Sequence, residues 1–79
     1  MVEIGKSYYF IQHAYYHIVG EVTEIIGVRR VALKNAVKIH SCKRNWTEFL
    51  KDGFKKDTQF DVIGNIADTS YISAYEWNH

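Results

Sequence analysis

The chain has 79 residues, with 10 Lys+Arg against 9 Asp+Glu and a formal net charge of +1, a balance too even for a nucleic-acid coat or a polybasic membrane arm. Hydrophobic residues at 47% and charged residues at 24% exclude disorder and predict one folded domain spanning 1–79. No apolar run approaches the ~18 residues of a membrane span, no signal peptide opens the chain, and the lone cysteine, Cys42, rules out an intrachain disulfide.

Two further features of composition set an expectation. Proline is absent, where about four would follow from ordinary usage, and aromatics are abundant: six Tyr, four Phe and two Trp. A domain this small buries only a little more than ~60% of its unfolded surface. Without disulfides, and with more aromatics than one small core needs, the chain is expected to form a homo-oligomer with aromatic surfaces meeting across subunits.

Ser7 to His13 is rich in aromatic and β-branched residues and predicts a strand, with Tyr8 and Phe10 on one face and Tyr9 and Ile11 on the other. Both faces are apolar. Ala14 to Ile26 continues as strand, with a bend or turn near His13-Ala14. Ile18, Gly20 and Val22 share one face; His17, Val19, Glu21 and Thr23 share the other. Gly20 in mid-strand signals a bulge or a close backbone approach. Gly27 reads as the turn of a hairpin, supplying positive φ.

Val31, Leu33, Val37 and Ile39 then alternate inward. Asn35 falls on the same parity, so either it is buried and hydrogen-bonded or the strand bulges at Lys34-Asn35. Asn45 with Glu48 forms a capping-box pattern, Trp46, Phe49 and Leu50 form an apolar stripe, and Gly53 fits the C′ position. One helix is therefore expected at about 45–52. Two more strands are expected near 60–66 and 71–77. The predicted fold is mainly β (α+β): a small, strongly bent antiparallel sheet or barrel with one short helix.

The side chains suited to catalysis do not assemble into a familiar pattern. His13 and His17, four apart on a strand, lie about 13 Å from each other along one face, too far to share a metal. Cys42 and His40 have no activating context, and Asp52, Asp57, Asp61 and Asp68 are scattered. No glycine-rich phosphate loop is present. The reading is of a protein without catalytic residues, metal or cofactor. Two groups of residues suit a phosphate-bearing heterocycle better. Tyr15, Tyr16 and His17 offer flat faces and hydrogen-bond donors. Lys43, Arg44 and Trp46 place charge beside a stacking surface. Asn35 joins them as a candidate ligand-binding residue.

Taken together, these tracts resemble a family of small tailed-phage proteins. Its sequences read, in order, a first-strand tract like R-T-V-T-M-Y-Y-T-G, then V-V-L-E-D-A-A-W-I-A-D-T-G-R, a short helix F-x-x-F-L-x-x-G, and a closing strand like A-I-V-D-A-T-E-W. The first tract corresponds to Gln12 to Gly20. In the second, Val31, Leu33, Ala36, Ile39 and Arg44 coincide, with Asn35 standing in for an acid. Trp46 to Gly53 matches the helix, and Ile72, Ala74, Glu76 and Trp77 match the end. Two positions depart: the family's Arg is Gln12 here, and its Trp is Lys38.

The resemblance implies a phage accessory protein acting in the host bacterial cytoplasm. By analogy it implies an anti-defence role, in which an oligomer sequesters a nucleotide-type immune signal without cleaving it, of the cyclic dinucleotide or cyclic ADP-ribose class. No membrane or long nucleic acid is expected as partner. The rivals are a signal-degrading enzyme, which needs a metal or acid/base set, and a protein-interaction module that blocks a host factor. The last would carry a large exposed aromatic patch and no enclosed pocket.

Overall fold

In the computed structural model, which describes residues 2–14, 16–41, 45–56 and 58–79, the chain is mainly β. Its elements are β1 (Ser7–His13), β2 (Tyr16–Gly27), β3 (Arg30–Ser41), α1 (Trp46–Asp52), β4 (Gln59–Ser70) and β5 (Ser73–Glu76). All pairings are antiparallel, and the strand order is β4-β3-β2-β1-β5. Of the bend or turn expected near His13-Ala14, the turn forms: β1 and β2 are a hairpin, with His13 opposite Tyr16.

The sheet is strongly curled. In strand order β4 and β1 are separated by two strands, yet the Gln12 amide donates to the Ser70 carbonyl at 2.9 Å and to the Thr69 hydroxyl. Backbone bonds from Tyr71 to the Arg29 carbonyl (3.0 Å) and from Ile72 to the Ile11 carbonyl (2.8 Å) carry the chain across that end into β5.

Each face of the sheet is apolar and has its own core, as the β1 pattern requires. The first face gathers Val2, Tyr8, Phe10, Ile18, Val22, Val31, Leu33 and Ala36. The second gathers Tyr9, Val19, Ile39, Phe49 and Trp77. The alternation expected in β3 is split between them. Val31 and Leu33 lie on the first face, whereas Ile39 and the half-buried Val37 lie on the second. The reason is a bulge. Val19 pairs with Val37 but Glu21 with Lys34, so β3 spends one extra residue there. Asn35 occupies it, exposed and left-handed at φ 54. Gly20 lies opposite, where a Cβ would meet Leu33 Cδ1 at 3.3 Å. Close approach, not turn geometry, selects glycine at that position.

Two further sequence signals are resolved by the structure. The positive φ of the β2–β3 hairpin falls on Arg29 (φ 122) and not on Gly27. The N-cap bond forms as expected, the Glu48 amide donating to Asn45 Oδ1 at 2.9 Å, while the Glu48 carboxylate accepts from the Asn45 side-chain amide at 3.1 Å. Gly53 ends the helix at φ 76, its amide donating to the Phe49 carbonyl. Two turns of helix cannot persist alone; Phe49, fully buried against Tyr9 and Trp77, fixes α1 to the second face.

Candidate functional site

The second face carries a connected set of aromatic rings, buried at its centre and exposed at its margins. Tyr9, fully buried in its centre, contacts His17 (ring centroids 5.4 Å), Trp46 (5.6 Å) and Phe49 (5.7 Å). Trp46, the first residue of α1, lies on the His17 ring at 4.2 Å and edge-on to Phe49 at 5.9 Å. The i, i+3 spacing accounts for this: Phe49 goes into the core and Trp46, one turn earlier, sits at its margin. The indole is 36% exposed, enough to leave part of it open to solvent. From Phe49 the rings continue through Phe54 (5.5 Å) to Phe60 (5.1 Å), both exposed, with Trp77 5.6 Å from Phe54.

His17 is buried beneath Trp46. Its Nε2 donates to the Ala14 carbonyl at 3.2 Å, which leaves Nδ1 to accept from the Tyr9 hydroxyl. That arrangement uses the neutral ring. Burial pushes the His17 pKa below its ordinary value, the Ala14 carbonyl opposes the shift, and the nearby His13 adds to it. With both nitrogens engaged, His17 holds the Trp46 platform and is not free to shuttle protons.

Tyr15, Lys43 and Arg44 fall outside the described residues, as does Cys42. Tyr16 packs on the first face, opposite to His17, because successive strand residues alternate. Lys38 Nζ sits 4.4 Å from the Tyr16 ring centroid. Asn35 borders an open cleft of about 420 Å3 with Thr23, Lys34 and Asn65. Of the described candidates, only His17 and Trp46 come together within one chain. The two positions that depart from the phage pattern both have intramolecular partners: Gln12 ties β1 to β4, and Lys38 covers Tyr16.

Sequence reasoning named Trp46 but not Phe54, Phe60 or Trp77, which join the same set of rings through Phe49. The surplus of aromatics signalled such a surface without locating it, since only the fold returns β4 and the chain end to the helix. His40 pairs with Asp61 at 2.5 Å, both exposed. Among the described residues no group of three His, Cys, Asp or Glu side chains is placed to hold a metal, and no helix is long and apolar enough to cross a membrane. No protein family, curated protein or solved structure matches the chain.

Proposed function

We propose that this protein is a non-enzymatic, homo-oligomeric binder of a small nucleotide-type ligand, and that it serves a phage by sequestering an immune signal in the host bacterial cytoplasm. The supporting observation is the Trp46 platform. A partly exposed indole lies on a buried neutral imidazole that Tyr9 fixes in place. Lys43 and Arg44 precede it in the sequence, with Asn45 between. A base stacked on such a face gains about 1–3 kcal/mol, and a charge-assisted bond from Arg44 to phosphate adds roughly 1.5–3 kcal/mol. The tyrosine half of the site, on the opposite face at Tyr16, meets this half only between copies of the chain. The phage role rests on the resemblance of the ordered tracts.

Calorimetry with cyclic dinucleotides and cyclic ADP-ribose isomers tests the reading. Trp46→Ala and Arg44→Ala should each weaken binding about tenfold or more, given those magnitudes, and the nucleotide should be recovered intact. Failure of the wild type to bind any member of the panel contradicts it. A second reading then takes its place: a module that blocks a host protein. The exposed Phe54 and Phe60 rings, 5.1 Å apart, favour that alternative, because exposed apolar patches mark protein contacts.

A further inference from the structure

We propose that the tip of the β2–β3 hairpin holds a second ligand site, a cleft for one small amphiphilic carboxylate whose apolar body lies against Val2, Ile25, Val28 and Tyr71 and whose anionic head is held by Arg29. The site stands apart from the Trp46 platform and shares no residue with it.

The cleft has a volume of about 420 Å3, within the range of small-molecule sites. Apart from Gly27 and Arg29, its lining is the four apolar or aromatic side chains just named. One side is fixed by the core. Val2 is buried there, and the Tyr71 ring packs on Phe10 at 4.9 Å. The Tyr71 amide donates to the Arg29 carbonyl at 3.0 Å, which ties the approach to β5 to the hairpin tip. The other side is open: Ile25 is 46% exposed and Val28 90%. Hairpin loops ordinarily carry glycine, asparagine, aspartate or serine. An apolar wall at this tip leaves hydrophobic surface for a ligand to cover.

Charge selects the ligand. Among the described residues Arg29 is the only charged side chain of the lining. The neighbouring Arg30 is held by Asp68, its Nε 3.3 Å from Oδ1. No described carboxylate pairs with Arg29. A guanidinium fork matches a carboxylate bidentately. A single carboxylate also balances this single cation, whereas a phosphate monoester brings about −1.5 to −2 at neutral pH.

The backbone gives a second, independent observation. The loop is Val28-Arg29, between the paired Gly27 and Arg30, and Arg29 sits at φ 122. A turn with positive φ at its second loop residue takes glycine or asparagine there; arginine is strained in it, and strain of this kind collects at functional sites. A glycine at this position would relieve the strain but could not supply the guanidinium.

NMR titration of the isotope-labelled protein with sodium decanoate, below its micelle concentration, tests the proposal. The amides of Ile25, Val28, Arg29 and Tyr71 should shift saturably, and the Trp46 indole should not. Arg29→Gly should raise Tm by about 4 °C or more as the strain is relieved, and should weaken decanoate binding about tenfold or more. Val28→Asp, which sets a carboxylate in the open wall, should weaken it to a similar degree. Decyltrimethylammonium, with the same chain and the opposite charge, should not bind. No saturable shift, shifts confined to other parts of the chain, equal binding of the ammonium, or an Arg29→Gly protein that binds as wild type or melts no higher overturns the proposal. Binding to phosphatidylglycerol vesicles without binding of monomeric decanoate also overturns it, and assigns the tip to a lipid surface. The wild-type titrations decide the matter without either variant.

Discussion

His17 shows how a single side chain serves two layers of the molecule. It is 3% exposed, bonded on both ring nitrogens, and forms the floor of Trp46. Protonation would place a proton on Nδ1, where the Tyr9 hydroxyl now donates. The folded-state pKa is lowered, so the unfolded chain takes up the proton first as pH falls. The His17 contribution is therefore complete above the ordinary histidine pKa of about 6.5 and is lost progressively below it. Thermal melts of wild type should show a lower Tm at pH 5 than at pH 7.5. His17→Gln, whose amide oxygen can still accept from Tyr9, should reduce that difference. An equal pH dependence in both proteins would assign the effect to other histidines. The sequence revealed His17 as a strand residue beside tyrosines, but not its burial under Trp46. That contact joins residues 29 positions apart, and no local pattern reports it.

Among the elements, α1 was the most legible, because its signals are local. The Asn45–Glu48 box, the Trp46/Phe49/Leu50 stripe and Gly53 each specify their own few residues; the N-cap bond forms, Phe49 is buried, and Gly53 ends the helix as its C-cap at φ 76, ψ −160 rather than in the left-handed form. Alanine at Asn45 should lower stability by about 1 kcal/mol, the usual worth of an N-cap, measured by urea unfolding. The strands were legible in type and in face, as β1 and β2 show. In β3 the bulge at Lys34-Asn35 was one of two readings the sequence offered, and it is the one that forms; the shared face expected of Val31, Leu33, Val37 and Ile39 is lost because a bulge reverses parity. Asn35 carries that reversal in a left-handed conformation with an exposed side chain. Asn35→Gly should leave stability within about 0.5 kcal/mol, whereas Asn35→Val should cost roughly 1–2 kcal/mol, because a β-branched residue resists positive φ. Equal effects of the two would show that the side chain, and not the backbone, matters there. Gly27 teaches the same lesson in reverse: glycine marked the hairpin, but Arg29 took the positive φ.

For the molecule as a whole, the curled sheet with an apolar core on each face follows from a first strand that has no polar side. Nine residues of β1 and β2, Tyr8 to Ile11 and His17 to Val19 with Gly20 and Val22, are buried or half-buried, so neither face is left for water. This also explains why the candidate binding residues scatter. Tyr16 and His17 are neighbours in sequence and lie on opposite faces, while Asn35 sits at a third place beside Lys34. Residue type could suggest a ligand class, but convergence depends on curl and register. A binder built in this way is expected to work as an assembly. Native mass spectrometry of the purified protein, with and without the nucleotide panel, reads both properties at once. The expected result is a multiple of the 9.3 kDa chain carrying intact nucleotide; a bare monomer that takes up no member of the panel would contradict it.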